Sequence, residues 1–195
     1  MPTVAVLPIK SFRLGKGRMA TELSPETRSH LSRRFAERTA QLAAEAGMVP
    51  VMVAGDAEVA GWALELGFPS IPDPDNTLNG AAAAGARWAT VASSSWIVLH
   101  SDLPLLTRPE LDQVVAVVSG GGWVIAPSAD GGTSALGGRG EARFAYGRGS
   151  FRRHLGRHPQ CQVVTSPGLL HDIDSFADLE SARRHPHGAW LSDPE

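Results

Sequence analysis

Cysteine is nearly missing from this chain. The single one, Cys161, excludes an intramolecular disulfide and any multi-cysteine zinc site, and it reads as a small buried or half-buried thiol. No apolar run approaches the ~20 residues of a membrane span. The charge balance is flat, with a net charge of -2, so nothing general points to nucleic acid or a membrane surface. A P-loop is absent, because the GxxxxGK[ST] spacing does not occur. No GxGxxG follows a strand, which disfavours a dinucleotide cofactor. The histidines are scattered without metal-ligand spacing. The opening Met1-Pro2-Thr3-Val4 reads as a strand and not as a signal peptide, so a cytoplasmic protein is expected. At 195 residues, one domain over 1–185 with a polar, frayed tail over 186–195 is the simplest division. Gly (21) and Pro (14) are frequent, which fits many tight strand-to-helix turns, since apolar runs recur throughout.

Those runs alternate with helical patterns. Thr3 to Ile9 is apolar without alternation, as expected of a strand covered on both faces. A basic loop fills residues 10–23. Ser24-Pro25-Glu26 then opens a helix as N-cap, N1 and first-turn acid. Leu31, Phe35, Thr39, Leu42 and Ala46 continue it at helical spacing, and Gly47 stops it. Further strands are predicted at Val49 to Ala54, Ser70-Ile71, Trp96 to His100 and Trp123 to Pro127. A short one follows at Ser134 to Leu136, and late ones at Gln162 to Thr165 and Leu170 to Ile173. Helices are predicted at Glu58 to Leu66, at Leu78 to Val91, after the capping box Thr107-Arg108-Pro109-Glu110, and after Ser175. Such alternation predicts an α/β, Rossmann-like, mostly parallel sheet with helices on both faces.

Ligands of such sheets bind outside the carboxyl ends of the strands. Three segments fall there. The first is the loop after strand one, crowded with Lys10, Arg13, Lys16 and Arg18, where Gly15 and Gly17 let the backbone approach a ligand. The second is the helix start at Asn76-Thr77-Leu78-Asn79, where Asn76 or Thr77 caps and Asn79 offers a donor and an acceptor to a base or ribose. The third is Ser101-Asp102-Leu103-Pro104. An extended segment points residues i and i+2 to one side, so Asp172 and Asp174 can grip one object. Singly, Asp102 reads as a turn residue and Asp174 as a helix cap. Jointly, Asp102, Asp172 and Asp174 suit Mg²⁺ and a nucleoside triphosphate, since this ion favours a few carboxylates, waters and substrate phosphates. Two Gly-rich loops, Asp130 to Leu136 and Phe144 to Ser150, offer hydroxyls and backbone N–H groups to a small phosphorylated acid. His154 reads either with the second loop or as an exposed helix residue.

Taken in order, these residues resemble the guanylyltransferases of coenzyme F-420 biosynthesis. The shared pattern is Lys10…Lys16-Gly17-Arg18-Met19, Pro74…Leu78-Asn79, Ser101-Asp102-Leu103-Pro104, Gly132-Thr133-Ser134-Ala135-Leu136, Gly147…Ser150…His154 and Asp172-Ile173-Asp174. It spans nearly the whole chain. The resemblance implies a compact Rossmann-like nucleotidyltransferase domain that joins GMP from GTP to a phosphorylated three-carbon acid. It implies Asp102, Asp172 and Asp174 as metal ligands. Lys10, Lys16 and Arg18 would lie on the triphosphate, with Lys16 and Arg18 catalytic, and Asn79 near the nucleoside. Thr133, Gly147 and Ser150 would hold the acid. The chain departs from the family pattern at Ser101 (usually Gly), at Tyr146 (usually Phe), and in Gly15-Lys16-Gly17-Arg18-Met19, which lacks a usual Thr.

The resulting expectation is a phosphate of phosphoenolpyruvate attacking the α-phosphorus of GTP, with Mg²⁺ on the three carboxylates and no protein nucleophile. Relatives also use 2-phospho-L-lactate or 3-phospho-D-glycerate. A composition rich in Arg, Gly and Ala, reminiscent of actinobacterial chains, tilts the reading to phosphoenolpyruvate. The alternatives are a molybdenum-cofactor-type nucleotidyltransferase, whose glycine-rich opening loop is missing, and a non-catalytic GTP-binding protein, for which three acids are superfluous. A homodimer is compatible with the sequence, which does not fix the oligomeric state.

Overall fold

The structure, a computed structural model, describes residues 2–13, 15–92 and 94–192. Among the described residues seven strands form one sheet: β1 Val4–Ile9, β2 Val49–Ala54, β3 Ser70–Pro72, β4 Ser95–Leu99, β5 Trp123–Pro127, β6 Thr133–Arg139 and β7 Cys161–Val163. The α-helices among the described residues are α1 Pro25–Glu45, α2 Ala57–Glu65, α3 Leu78–Val91, α4 Arg108–Ser119 and α5 Ser150–Arg157, which lie between strands, and α6 Pro167–Leu170 and α7 Phe176–Arg184, which follow β7. The strand order is β3-β2-β1-β4-β6-β5-β7. β6 runs antiparallel to both its neighbours, and the remaining pairs are parallel. The chain therefore builds outward from β1 to β3, returns, and restarts beside β1 with β4. That reversal opens a crevice at the carboxyl ends of β1 and β4, the place where sheets of this kind bind ligands.

Period-two alternation within the strands divides the core. Ala5, Leu7, Ile9, Met52, Ile97 and Leu99 face one layer, where Ala36, Ala40, Trp62, Leu111 and Val114 of α1, α2 and α4 cover them. Val4, Val6, Val51, Val53, Trp96 and Val98 face the other, under Ala81, Ala82, Ala86 and Ala89 of α3. A side chain at Gly85 would overlap Val6, so the small residues of α3 let that helix lie close against β1. Each large apolar side chain fully buried here contributes roughly 1.5–3 kcal/mol.

A third cluster lies outside the two layers, at the carboxyl edge. It gathers Met19, Leu31, Phe35, Leu105, Ile173, Leu179, Ala182 and Leu191 from segments far apart in sequence. Trp190 packs edge-on against Phe35 and donates its indole N–H to the Pro104 carbonyl at 3.0 Å. This corrects the expectation of a frayed tail. Pro186–Ser192 form a 3-10 helix with Leu191 buried, and the remaining tail residues, 193–195, lie outside the described residues.

Two strand expectations also change. β6 extends through Gly137 and Gly138, residues that read as loop. Side chains there would strike Ile97, Val118 and Val124 in one case and the Trp123 ring in the other. The glycines are therefore needed for packing inside the strand, not to end it. Residues 170–173 are not a strand. Ser166-Pro167 start the short α6, and Ile173 reaches the loop after β4 through a backbone bond from its N–H to the Asp102 carbonyl at 3.2 Å. Among the described residues no helix is long and apolar enough to cross a membrane.

Candidate active site

The loop after β1 turns back over the crevice through Lys16, which adopts a left-handed conformation (φ 57°, ψ 36°) and caps a 3-10 turn over Gly17–Met19. A lysine in this region is strained by roughly 1–2 kcal/mol. What holds it is its own side chain, together with Met19 buried in the third cluster. The Lys16 ammonium donates to Asp102 Oδ2 at 2.6 Å and to the Ile173 carbonyl. It lies 5.7 Å from the centroid of the Phe35 ring. One cation thus joins the loops after β1 and β4 to the segment before α7. Arg18 donates to Asp174 Oδ2 at 3.1 Å, an exposed pair of small energetic weight. A cavity of about 160 Å³ opens alongside, lined by Lys10, Ser11, Gly15, Lys16, Ser101 and Asp102 among others. Lys10 is exposed at its rim. Arg13 turns away to Glu58 at 2.9 Å.

The carboxylates differ from one another. Burial pushes Asp102 toward protonation, but the Lys16 charge, with His100 beside it, outweighs that and holds Asp102 below the usual carboxylate range. Asp172 goes the other way. Burial, then the negative charges of Asp102 and Asp174, push it up to about 6. Among the described residues Asp172 has no ion pair. No three acidic, histidine or cysteine side chains among those residues form a ready-made metal cage. The three sequence-predicted ligands therefore share one electrostatic neighbourhood without closing on a point, and Lys16 and Arg18 stand among them. A half-buried carboxylate crowded by other carboxylates, which are hard oxygen donors, fits a divalent cation such as Mg²⁺, which also takes waters and substrate phosphates.

The acid-binding candidates do converge, with Thr133 and Ser150 buried and Gly147 exposed on the turn above them. Ser150 donates to Thr133 Oγ1 at 3.2 Å, and Thr133 Oγ1 lies 2.9 Å from His154 Nδ1. Gly147, with φ 116°, makes the turn that leads into α5, and its carbonyl accepts the Ser150 N–H at 3.0 Å. Leu99 pairs with Ala135, and the Ser134 carbonyl accepts the His100 N–H at 2.9 Å. Continuing that antiparallel register brings Thr133 level with Ser101, next to Asp102. Asn79 is engaged differently from the expectation. Its Oδ1 accepts the Tyr146 N–H at 2.7 Å and its Nδ2 donates to the Tyr146 carbonyl at 3.5 Å. Asn79 therefore ties the start of α3 to the second Gly-rich loop, with both amide atoms engaged there.

Sequence reading left His154 open and did not single out His100. His154 is wholly buried, and neighbouring groups engage both its ring nitrogens. The spacing Ser150–His154 was the available signal, since residues i and i+4 share a helix face. His100 stands between the charged and neutral halves. Its ring lies 5.5 Å from the Tyr146 ring, and the Tyr146 ring lies 4.8 Å from that of His154. His100 Nε2 and Tyr146 Oη are buried and have no hydrogen-bond partner among the described residues.

The strand order, the crevice at the sheet reversal and the cations set among carboxylates define a nucleotidyltransferase of Rossmann-like fold. A solved structure from Desulfovibrio desulfuricans G20, provisionally named a nucleotide-diphospho-sugar transferase, superposes with a TM-score of 0.76. It is 17% identical and covers 98% of this chain and 94% of its own. The structure of CMP:2-keto-3-deoxy-manno-octonic acid synthetase complexed with CTP has a TM-score of 0.58 at 11% identity, covering 94% and 97%. These two likenesses concern the fold. The family described as "Guanylyl transferase CofC like" matches residues 3–181, and this chain belongs to it. Similar curated proteins include the phosphoenolpyruvate guanylyltransferase of Nocardia farcinica, 35% identical over 91% of this chain and 84% of the relative. That of Sphaerobacter thermophilus is 32% identical over 97% of each. The 2-phospho-L-lactate guanylyltransferase of Methanothermobacter thermautotrophicus is 27% identical over 96% and 87%.

Proposed function

We propose that this chain transfers GMP from GTP to phosphoenolpyruvate in the cytoplasm, releasing pyrophosphate and forming enolpyruvoyl-diphospho-guanosine for coenzyme F-420 biosynthesis. The observation that carries the reading is Lys16, held between Asp102 and the Ile173 carbonyl at the sheet reversal, with Thr133 level with that same edge. An oxygen of the acceptor phosphate attacks the α-phosphorus. The bond from that phosphorus to the bridging oxygen breaks, and the electron pair leaves with pyrophosphate. The nucleophile is already anionic, so no side chain has to remove a proton. Catalysis then reduces to alignment and charge neutralisation.

Lys16 and Arg18 meet the charge that grows on pyrophosphate, and Lys10 at the cavity rim meets the outer phosphates. Thr133, Ser150 and the turn at Gly147 orient the acid. Asp102, Asp172 and Asp174 would hold Mg²⁺, which supplies neutralisation of the two phosphates as they approach. Phosphoenolpyruvate is preferred as acceptor because the more similar relatives carry that name. The second reading, the same transfer to 2-phospho-L-lactate, is supported by the methanogen relative.

The test is pyrophosphate release with GTP and Mg²⁺ plus phosphoenolpyruvate, 2-phospho-L-lactate or 3-phospho-D-glycerate in parallel, with ATP as control. Release with GTP and phosphoenolpyruvate is expected. Release only with another acid replaces the acceptor, and silence with all three overturns the reading.

A further inference from the structure

We infer that His154 is a positioning residue that fixes the direction of the Thr133 hydroxyl, turning its proton toward the bound acid. This rests on the function proposed above.

Hydrogen-bond polarity leads to it in four steps. The backbone N–H of Ala145 lies 2.8 Å from His154 Nε2, and a backbone amide can only donate, so Nε2 carries a lone pair. A neutral imidazole with a lone pair on Nε2 carries its proton on Nδ1. That proton meets Thr133 Oγ1 at 2.9 Å, so the hydroxyl oxygen accepts. Ser150 Oγ donates to the same oxygen at 3.2 Å. Both lone pairs of Thr133 are then taken, and among the described residues its own proton has no acceptor.

The hydroxyl of a residue only 1% exposed, with its donor free, is complementary to a ligand that only accepts. The phosphate and carboxylate oxygens of an ionised acid are such acceptors. The doubly protonated imidazole would set Nε2–H against the Ala145 N–H. Burial, with His158 just past the end of its helix, Arg157 and Arg153 on that helix and His100 across from it, keeps the ring neutral. Asp172→Asn and other metal-side changes leave this network intact. The direction of the Thr133 hydroxyl is therefore a property of the acid half alone.

Two substitutions separate positioning from simple packing. In His154→Asn an amide N–H takes the place of Nδ1–H, while the bond from Ala145 is lost. In His154→Gln the amide oxygen can keep the Ala145 bond, but no donor stands at the Nδ1 position. Expected is a rise of about tenfold in KM for phosphoenolpyruvate in His154→Gln, the scale of one lost hydrogen bond, with KM for GTP unchanged. His154→Asn should remain within about threefold of the unaltered protein. Thr133→Val should raise the same KM, and adding His154→Gln to it should raise it no further, as for residues acting as a unit.

Equal rises in both KM values in the two His154 variants would overturn the inference, as would an unchanged acid KM in His154→Gln. Absence of turnover in the unaltered protein with every acid would instead overturn the proposed function. The inference is then read from the ¹⁵N spectrum of the histidine rings, assigned by the signal lost in His154→Gln. A neutral ring protonated on Nδ1 is expected, and protonation on Nε2 would overturn it.

Discussion

The two halves of the crevice are built on opposite plans. The triphosphate half is charged, partly exposed and made of loops. Lys16 is strained, Arg18 pairs weakly with Asp174, and Asp172 is crowded by like charge. The centre of the acid half is neutral and buried, with Thr133, Ser150 and His154 hydrogen-bonded to one another and Asn79 fastening the loop above them. The first half sets Asp102, Asp172 and Asp174 among Lys10, Lys16 and Arg18. The second presents donors already oriented. Bringing two anions together calls for both, since charge gathers them and fixed dipoles align them.

The largest expected effect breaks the charged half alone. Asp172→Asn should lower turnover by about 100-fold or more if this site behaves like other preorganised electrostatic sites. Pyrophosphate release measures this. The same substitution should raise the melting temperature of chelator-treated protein at pH 7, because burial and the Asp102 and Asp174 charges make the ionised Asp172 unfavourable in the fold. Function and stability oppose each other here, as they do at many sites built for a ligand.

Next in size is the support beneath that half. Leu191→Ala removes a buried side chain from the cluster that holds Met19 and Ile173, with an expected loss of about 2–3 kcal/mol in denaturant unfolding. Since the Ile173 carbonyl anchors Lys16, the GTP KM should rise more than the acid KM.

Asn79→Ala tests the other half. It should cost about 1 kcal/mol and raise the acid KM several-fold, because both amide atoms serve the Tyr146 loop. An effect on GTP alone would return Asn79 to the nucleoside.

The smallest effect is in pH, and its sign differs between the halves. His154 is lowered from 6.5 to about 4, chiefly by burial, so the unfolded chain takes that proton first. Its contribution to stability is full above about pH 6.5 and is lost as pH falls toward 4. Asp172 is raised from 3.8 to about 6, so the folded chain takes that proton first and gains stability as pH falls through 6. Melts of chelator-treated protein at pH 7 and pH 5 should show a steeper acid loss in Asp172→Asn and a shallower one in His154→Gln.

Much of this was legible in the chain, for local reasons. Caps at Ser24, Thr77 and Thr107 and the apolar runs of β1, β2, β4 and β5 mark their elements without tertiary help, and α3 matches its expected span of Leu78–Val91. What local rules missed was decided by neighbours. Gly137 and Gly138 belong to β6 because Ile97 and Trp123 press on them. The segment before α7 is placed by its bond to Asp102 and the burial of Ile173, and Pro186–Ser192 are placed by the partners of Trp190 and Leu191. In the site, residue types announced the charged half, since a loop rich in cations and a pair of spaced carboxylates is visible as such. The neutral half depends on burial and on hydrogen-bond direction, which sequence does not display, so the pairing of His154 with Thr133 and the placement of His100 emerged only in three dimensions.

The most direct measurement is a ³¹P spectrum of the chain incubated with GTP, phosphoenolpyruvate and Mg²⁺. The account predicts pyrophosphate together with the paired resonances of a new phosphoric anhydride joining GMP to the acid, both abolished by a chelator. Free GMP in place of that anhydride, or an unchanged GTP spectrum at saturating substrates, would contradict it.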